Sequence, residues 1–342
     1  MAAETAVADL LVEADHLESA GRPTDAITLL SNANRDVAAA PLEQRLVELR
    51  ARSFSAIDRT SGLASWPRTA PDPFPGVRGR APEVARADLD PTVLAGAIEH
   101  HGMVIVRDLI SPADVERLRD AVERAFDARD ARKAKRLDPA DAGWFTPFEE
   151  GTEHNRFPSK RFVRIIDSPR ALYLLLEIYA DTGLLDIIET HLGERPALSA
   201  HKCALRRLTA EPGERSTDYH QDGAFLGDGI RTVNVWLALT PCGGDHPAPA
   251  VDVLPRRVDH ILDVGVDGAH LDWTVSENVV ARAAAGIPIE RPTFGPGDGM
   301  LFDELMVHRT AFDDRMTEER MAVESWFFAP SVYPGDHVPL LV

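Results

Sequence analysis

Tyr219-His220-Gln221-Asp222-Gly223 is closely followed by the apolar run Thr232-Val233-Asn234-Val235-Trp236-Leu237-Ala238-Leu239. The second stretch reads as a buried strand, the first as the approach to it. In extended backbone His220 and Asp222 point to the same side, so both can reach one ion. Around this pair, residues 197–208, 251–254, 300–308 and 321–329 alternate or run apolar, as strands do. Turn chemistry separates them, notably Glu211-Pro212-Gly213, Pro241-Cys242-Gly243-Gly244 and Gly295-Pro296-Gly297-Asp298-Gly299. Helices first and many short strands later imply a mainly β chain with flanking helices, built on a double-sheet jelly roll.

A lone His-x-Asp says little. With twelve histidines, about one such match is expected by chance, and His270-Leu271-Asp272 is a second one. Strand context prefers His220, because His270 lies in an insert, residues 265–292, that interrupts the strands. Distance prefers it too: His220 precedes His308 by 88 residues, enough to thread several strands, whereas His270 precedes it by only 38. Two imidazoles and one carboxylate with open positions beside them suit the facial triad of non-haem iron(II) oxygenases. A zinc hydrolase with the same three ligands is the rival. An oxygenase that uses 2-oxoglutarate also needs a cation for the far carboxylate, best supplied by an arginine fork. Arg320 meets that need, twelve residues after His308 and on the next strand. Arg309 and Arg315 read as surface charges.

The chain has 342 residues and a formal charge of −18, which excludes nucleic acid or an anionic membrane as a default partner. No apolar run is long enough to span a bilayer and no secretory signal is visible. The two cysteines, Cys203 and Cys242, agree with a reducing cytoplasm. Residues 1–66 read as helices whose spacing resembles one tetratricopeptide repeat, with Gly21, Ala26, Leu30, Ala33 and Pro41 at the expected places. This appendage is expected to pack on the main domain or on a second subunit, forming a homo-oligomer; docking of a peptide or carrier-tethered substrate is the alternative. Residues 67–90 are rich in proline and glycine and read as a linker, and 91–342 as the catalytic domain. Ser111 caps a helix running to about Ala128, and the basic run 129–136 reads as its solvated end. Residues 129–160 lose periodicity around Trp144, Phe145 and Phe148, as a functional lid or a disordered segment does.

Residues 92–330 resemble the phytanoyl-CoA dioxygenase (PhyH) family of iron(II)/2-oxoglutarate oxygenases. The matching segments are 95–107, His220-Gln221-Asp222, 235–239, 297–302, His308-Arg309-Thr310 and Arg320-Met321-Ala322. The resemblance implies a cupin-like double-stranded β-helix with iron(II) on His220, Asp222 and His308. It further implies 2-oxoglutarate held by Arg320 and Thr310, Trp236 lining its pocket, and Arg164 as a second cosubstrate-contacting cation. Taken alone, Trp236 is a core residue and Thr310 a plain strand hydroxyl. The chain departs from the family at Leu254-Pro255-Arg256-Arg257, where Pro-Gly-Ser-His is usual. The expected reaction is hydroxylation of a small molecule by O2 with release of succinate and CO2, with substrate contacts from 144–148 and from the insert. Halogenation is disfavoured because Asp222 fills the place a halide would need. A catalytically inactive binding scaffold is the remaining alternative.

Overall fold

The structure is a computed structural model that describes residues 2–148 and 160–342 apart from 58, 64, 228 and 336, with the backbone alone for 2–4. It opens with three helices, α1 (Ala2–Ser19), α2 (Pro23–Val37) and α3 (Ala40–Ser53). Ala14, Ala26, Ile27, Leu30, Leu42, Leu46 and Leu49 form their apolar seam, which Leu341 enters from the far end of the sequence. Polar contacts fix the seam to the rest of the chain. Arg50 Nη1 donates to Leu341 O at 2.7 Å, the Tyr173 hydroxyl to Ser31 O at 3.0 Å, and Arg170 Nε to Glu43 at 2.9 Å. The helical appendage thus lies on its own chain.

The proline-rich stretch that follows is laid along the helix α4 (Pro91–His101). Gly96 faces it so closely that a Cβ there would stand 2.2 Å from Pro71 O. Its last residues form β1 (Glu83–Ala85), parallel to β2 (Met103–Arg107). Local chemistry sets the helix ends. Asp90 accepts from the amides of Thr92 and Val93 to start α4, and Gly102 ends it at φ +83°. Ser111 accepts from Asp114 N to start α5 (Pro112–Lys133), which runs past Ala128 into the basic stretch. After β3 (Phe162–Arg164) come α6 (Pro169–Asp181) and α7 (Leu184–Leu192).

The remaining elements are β4 (Ala197–Ser199), β5 (Ala204–Leu208), α8 (Gly223–Leu226), β6 (Thr232–Ala238), β7 (Ala250–Val253), α9 (Glu277–Ala284), β8 (Gly299–Phe302), β9 (His308–Ala311), β10 (Arg320–Phe328) and β11 (Pro339–Leu341). The larger sheet runs β1-β2-β8-β6-β10-β4-β11, with β5 beside β10 and β3 on β5; β7 and β9 form the smaller sheet. Two expected strands are each broken in two, 197–208 by the turn at 200–203 and 300–308 by that at 303–307.

Helix accounts for 40% of the chain and strand for 17%, so a mainly β description overstates the sheet. The strands are short, while long helices cover the outer face of the larger sheet. Leu94, Leu118, Val122, Leu175, Tyr179 and Ile188 pack there against Val235, Leu237, Val323 and Phe327. Between the sheets lies a smaller core of Trp236, Met300, Phe302, Val251, Val253 and Ala322. Each fully buried Leu or Phe contributes about 1.5–3 kcal/mol, so the helices act as the floor that holds the larger sheet rigid beneath the site. Both cysteines are buried and free. Among the described residues no helix is long and apolar enough to cross a membrane.

Candidate metal centre and its cavity

Two chain segments locked in register carry the histidines. His220 N donates to His308 O at 2.9 Å and His308 N to His220 O at 3.0 Å. That mutual exchange marks a hydrogen-bonded antiparallel pair, whose side chains project from one face. The two ring centroids are 4.2 Å apart. Asp222 arrives by another route than extended backbone: at φ −61° and ψ −30° it leads directly into α8. Gln221 pins this turn. Its Nε2 donates to His260 O at 2.9 Å and Leu305 O at 2.7 Å, and its Oε1 accepts from Leu262 N at 2.8 Å. At Gly223 a Cβ would stand 2.7 Å from Ile261 Cδ1 and 3.2 Å from Glu304 O, so the turn packs closely there.

One ligand atom from each of His220, Asp222 and His308 lies within 4.8 Å of the other two. His308 Nδ1 sits 3.1 Å from Met306 O, which places the ring proton on Nδ1 and leaves the Nε2 lone pair for a metal. Asp222 Oδ2 accepts from Asn234 Nδ2 at 2.5 Å, while buried Oδ1 has no hydrogen-bond partner among the described residues and faces His220 Nε2 at 3.8 Å. Burial, then the neighbouring His308, holds His220 well below the usual imidazole range, and burial lowers His308 too. Burial pushes Asp222 well above the carboxylate range against the pull of Lys202. Two neutral imidazoles and a carboxylate whose ionisation burial disfavours are the donors a divalent cation completes.

The triad opens into a cavity of about 810 Å³. Strand register sorts the cavity into levels. Arg206 lies opposite Ala322, Ala204 opposite Glu324, Trp236 opposite Glu324 on the other side, and Asn234 opposite Trp326. Because Asn234 holds Asp222, the triad stands at the level of Trp326. Arg320, opposite Leu208, is three inward positions deeper. At the triad's level the wall is aromatic. Phe225 stacks on Trp326 with centroids 6.0 Å apart, Trp273 meets Phe225 edge-on at 5.7 Å, and Lys202 Nζ lies 4.2 Å from the Phe225 centroid.

The structure distributes the expected cosubstrate residues unevenly. Thr310 and Trp236 line the cavity. Arg320 is buried behind Trp236, its Cζ 5.3 Å from that ring, and donates from Nη1 to Ala250 O at 3.0 Å. Its Nε is buried with no hydrogen-bond partner among the described residues. Burial lowers its pKa, with Cys242 and Glu324 opposing, so a carboxylate is what this guanidinium lacks. Arg164 does not line the cavity: its Nε and Nη2 fold back on Asp167 at 2.8 and 3.0 Å. Lys202, Arg309 (expected on the surface) and Arg206 are the lysine and arginines that line the cavity, and Arg206 donates to Glu324 at 2.6 Å. Sequence reading missed it because Arg206-Arg207 offers two candidates, and only strand register says which points inward.

Residues 98–249 match the phytanoyl-CoA dioxygenase (PhyH) family, and the triad is intact. The chain is similar to that family over this stretch. It is an iron(II)/2-oxoglutarate oxygenase, with iron and 2-oxoglutarate as its cofactors. The family match ends before His308, which strand pairing supplies. Solved structures with a similar course include EctD from S. alaskensis with 2-oxoglutarate and 5-hydroxyectoine, at 18% identity and a TM-score of 0.48 over 79% of this chain and 86% of that one. EctD with bound Fe is 18% identical, with a TM-score of 0.46 over 70% of this chain and 78% of that one. AviO1 from Streptomyces viridochromogenes Tue57 is 19% identical, with a TM-score of 0.42 over 68% and 91%. No curated protein sequence matches the chain.

Within this enzyme the competing His270 takes no part in the triad. Its side chain is 84% exposed and its Nδ1 sits 2.6 Å from Asp218 Oδ1. Residues 144–148 do not line the cavity. Trp144 is buried between Arg124 and Arg170, and Phe148 N is held by Asp167 at 3.0 Å. The rest of the expected lid, 149–159, lies outside the described residues. From the insert, Trp273 does reach the cavity.

Proposed function

We propose that this oxygenase hydroxylates an unactivated C–H bond of a small organic molecule. One oxygen atom of O2 enters the substrate as a hydroxyl. The other oxidises 2-oxoglutarate to succinate and CO2. The observation that supports this best is the triad facing an aromatic-lined cavity of about 810 Å³, large enough for a ring-bearing molecule beside the cosubstrate.

The residues divide by level. His220, Asp222 and His308 hold the metal, and Asn234 orients the carboxylate. Arg320, Thr310 and Trp236 take the far end of 2-oxoglutarate. Arg206, which lines the cavity, is a further cation for that dianion, in the role the resemblance gave to Arg164. Iron bound with the cosubstrate supplies O2 activation and the oxidising power for the C–H bond. The apolar rings Phe225, Trp326 and Trp273 exclude water and hold the substrate over the open face of the triad.

Anaerobic addition of iron(II) and 2-oxoglutarate should give the weak visible charge-transfer band of the bound complex, and Arg320→Ala should shift its midpoint to higher cosubstrate concentration. Succinate release across a small-molecule panel, with mass analysis of the product, then separates hydroxylation from desaturation, ring closure or epimerisation. A well-folded protein without the band, behaving like its Arg320→Ala variant, would sink the reading.

A further inference from the structure

We propose that Asp218 is a positioning residue that fastens the 265–292 insert and so fixes Trp273 as a wall beside the metal ligands. The proposal rests on the iron-site reading above.

Trp273 is 38% exposed, so little packing behind it fixes its place. Its ring contacts are with the site: the centroid lies 5.8 Å from His220 at an interplanar angle of 85°, and 5.7 Å from Phe225 at 90°. What constrains it is the backbone on either side. Asp218 Oδ2 accepts from His270 N at 2.6 Å and Thr274 Oγ1 at 2.9 Å, and Oδ1 meets His270 Nδ1 at 2.6 Å. These bonds grip residues 270 and 274, leaving Trp273 on a three-residue span. The next pairing continues the clamp, with Val275 N donating to Tyr219 O at 2.7 Å. Residues 218 and 219 therefore hold the insert, and residue 220 is the metal ligand.

An exposed His–Asp pair alone would contribute little. Here the acid is the protected partner, with its side chain only 12% exposed. Charge-assisted bonds to a shielded carboxylate are the stronger kind, and three on one group hold a loop that otherwise opens easily.

The test uses full-length Asp218→Ala, His270→Ala and His270→Asn, whose amide can still donate to Asp218. In metal-free protein, amide hydrogen exchange at Thr274 and Val275 should quicken by about tenfold in the alanine variants and return towards wild type in His270→Asn. Anaerobic Co(II) in the iron site should quench the emission due to Trp273, isolated by subtracting Trp273→Phe. That quenching should be lost in Asp218→Ala while Co(II) affinity stays within about threefold. If Asp218→Ala folds poorly, the milder Thr274→Val carries the same expectation. Unchanged exchange and unchanged Trp273 quenching overturn the proposal. If the wild-type protein binds neither Co(II) nor iron with 2-oxoglutarate, the iron reading fails, while the exchange result still decides whether Asp218 holds the insert.

Discussion

His220 and His308 exchange both backbone hydrogen bonds, at 2.9 and 3.0 Å, across a gap of 88 residues in sequence. The pairing makes the metal site a property of register. A slip of one residue would turn one imidazole to the opposite face, so the site forms only when the smaller sheet is correctly assembled.

Asp222→Ala should abolish the charge-transfer band while leaving the metal-free fold intact. The carboxylate is buried with one oxygen unpartnered, so its removal relieves as much as it costs, and the Tm should change by no more than about 1 kcal/mol of stability allows. Calorimetry without metal checks the second half.

Arg320→Ala should weaken 2-oxoglutarate binding by about a hundredfold, the loss of a charge-assisted fork in a buried setting. Arg320→Lys keeps a charge but not the fork and should fall between. Titration of the anaerobic iron complex with cosubstrate measures both.

Glu304 gives a pH signature. Burial, with the charge of Asp303 adding, pushes its carboxyl up to about 8 from an ordinary 4.5. The folded protein then holds this proton more tightly than the unfolded chain. Stability from the group is full below 4.5 and lost as pH rises to about 8. Glu304→Gln keeps an acceptor for the Thr232 hydroxyl, now 3.0 Å away, and should flatten that decline. Thermal scans between about pH 5 and about pH 8.5 should show wild-type Tm falling more than the variant's.

Deleting residues 1–56 should lower the Tm by several degrees, because Leu42, Leu46 and Leu49 bury Leu341. Each such leucine contributes about 1.5–3 kcal/mol. An unchanged Tm would show instead that the helices form a separate unit, as a docking module for a tethered substrate requires.

Much of this was legible because the signals were local. Ser111, Gly102 and Gly193 mark helix ends through capping chemistry that needs no tertiary context. The triad was legible through spacing. What stayed hidden depends on register or long-range contact. The strands around 200–203 and 303–307 look continuous because apolar alternation does not record a turn between two short strands. Arg206 and Arg207 are alike in sequence, yet one pairs with Glu324 inside and the other with Glu319 outside. Arg164 found a partner three residues away in Asp167, which no motif foretells. Trp144 and Trp273 both lie in stretches expected to contact substrate, yet only Trp273 lines the cavity, since which aromatic becomes a wall depends on what its segment is tied to.

The Arg50–Leu341 bond joins residues 291 positions apart. On a ribosome adding 5–20 residues per second, the first helices emerge roughly 15–60 s before the strand that closes their apolar seam. Until then that seam is open to solvent and to other nascent chains. Overexpression should therefore be limited by aggregation of the nascent amino-terminal helices, and slower synthesis at low temperature or a hydrophobic-segment chaperone should raise the soluble yield more than added iron does.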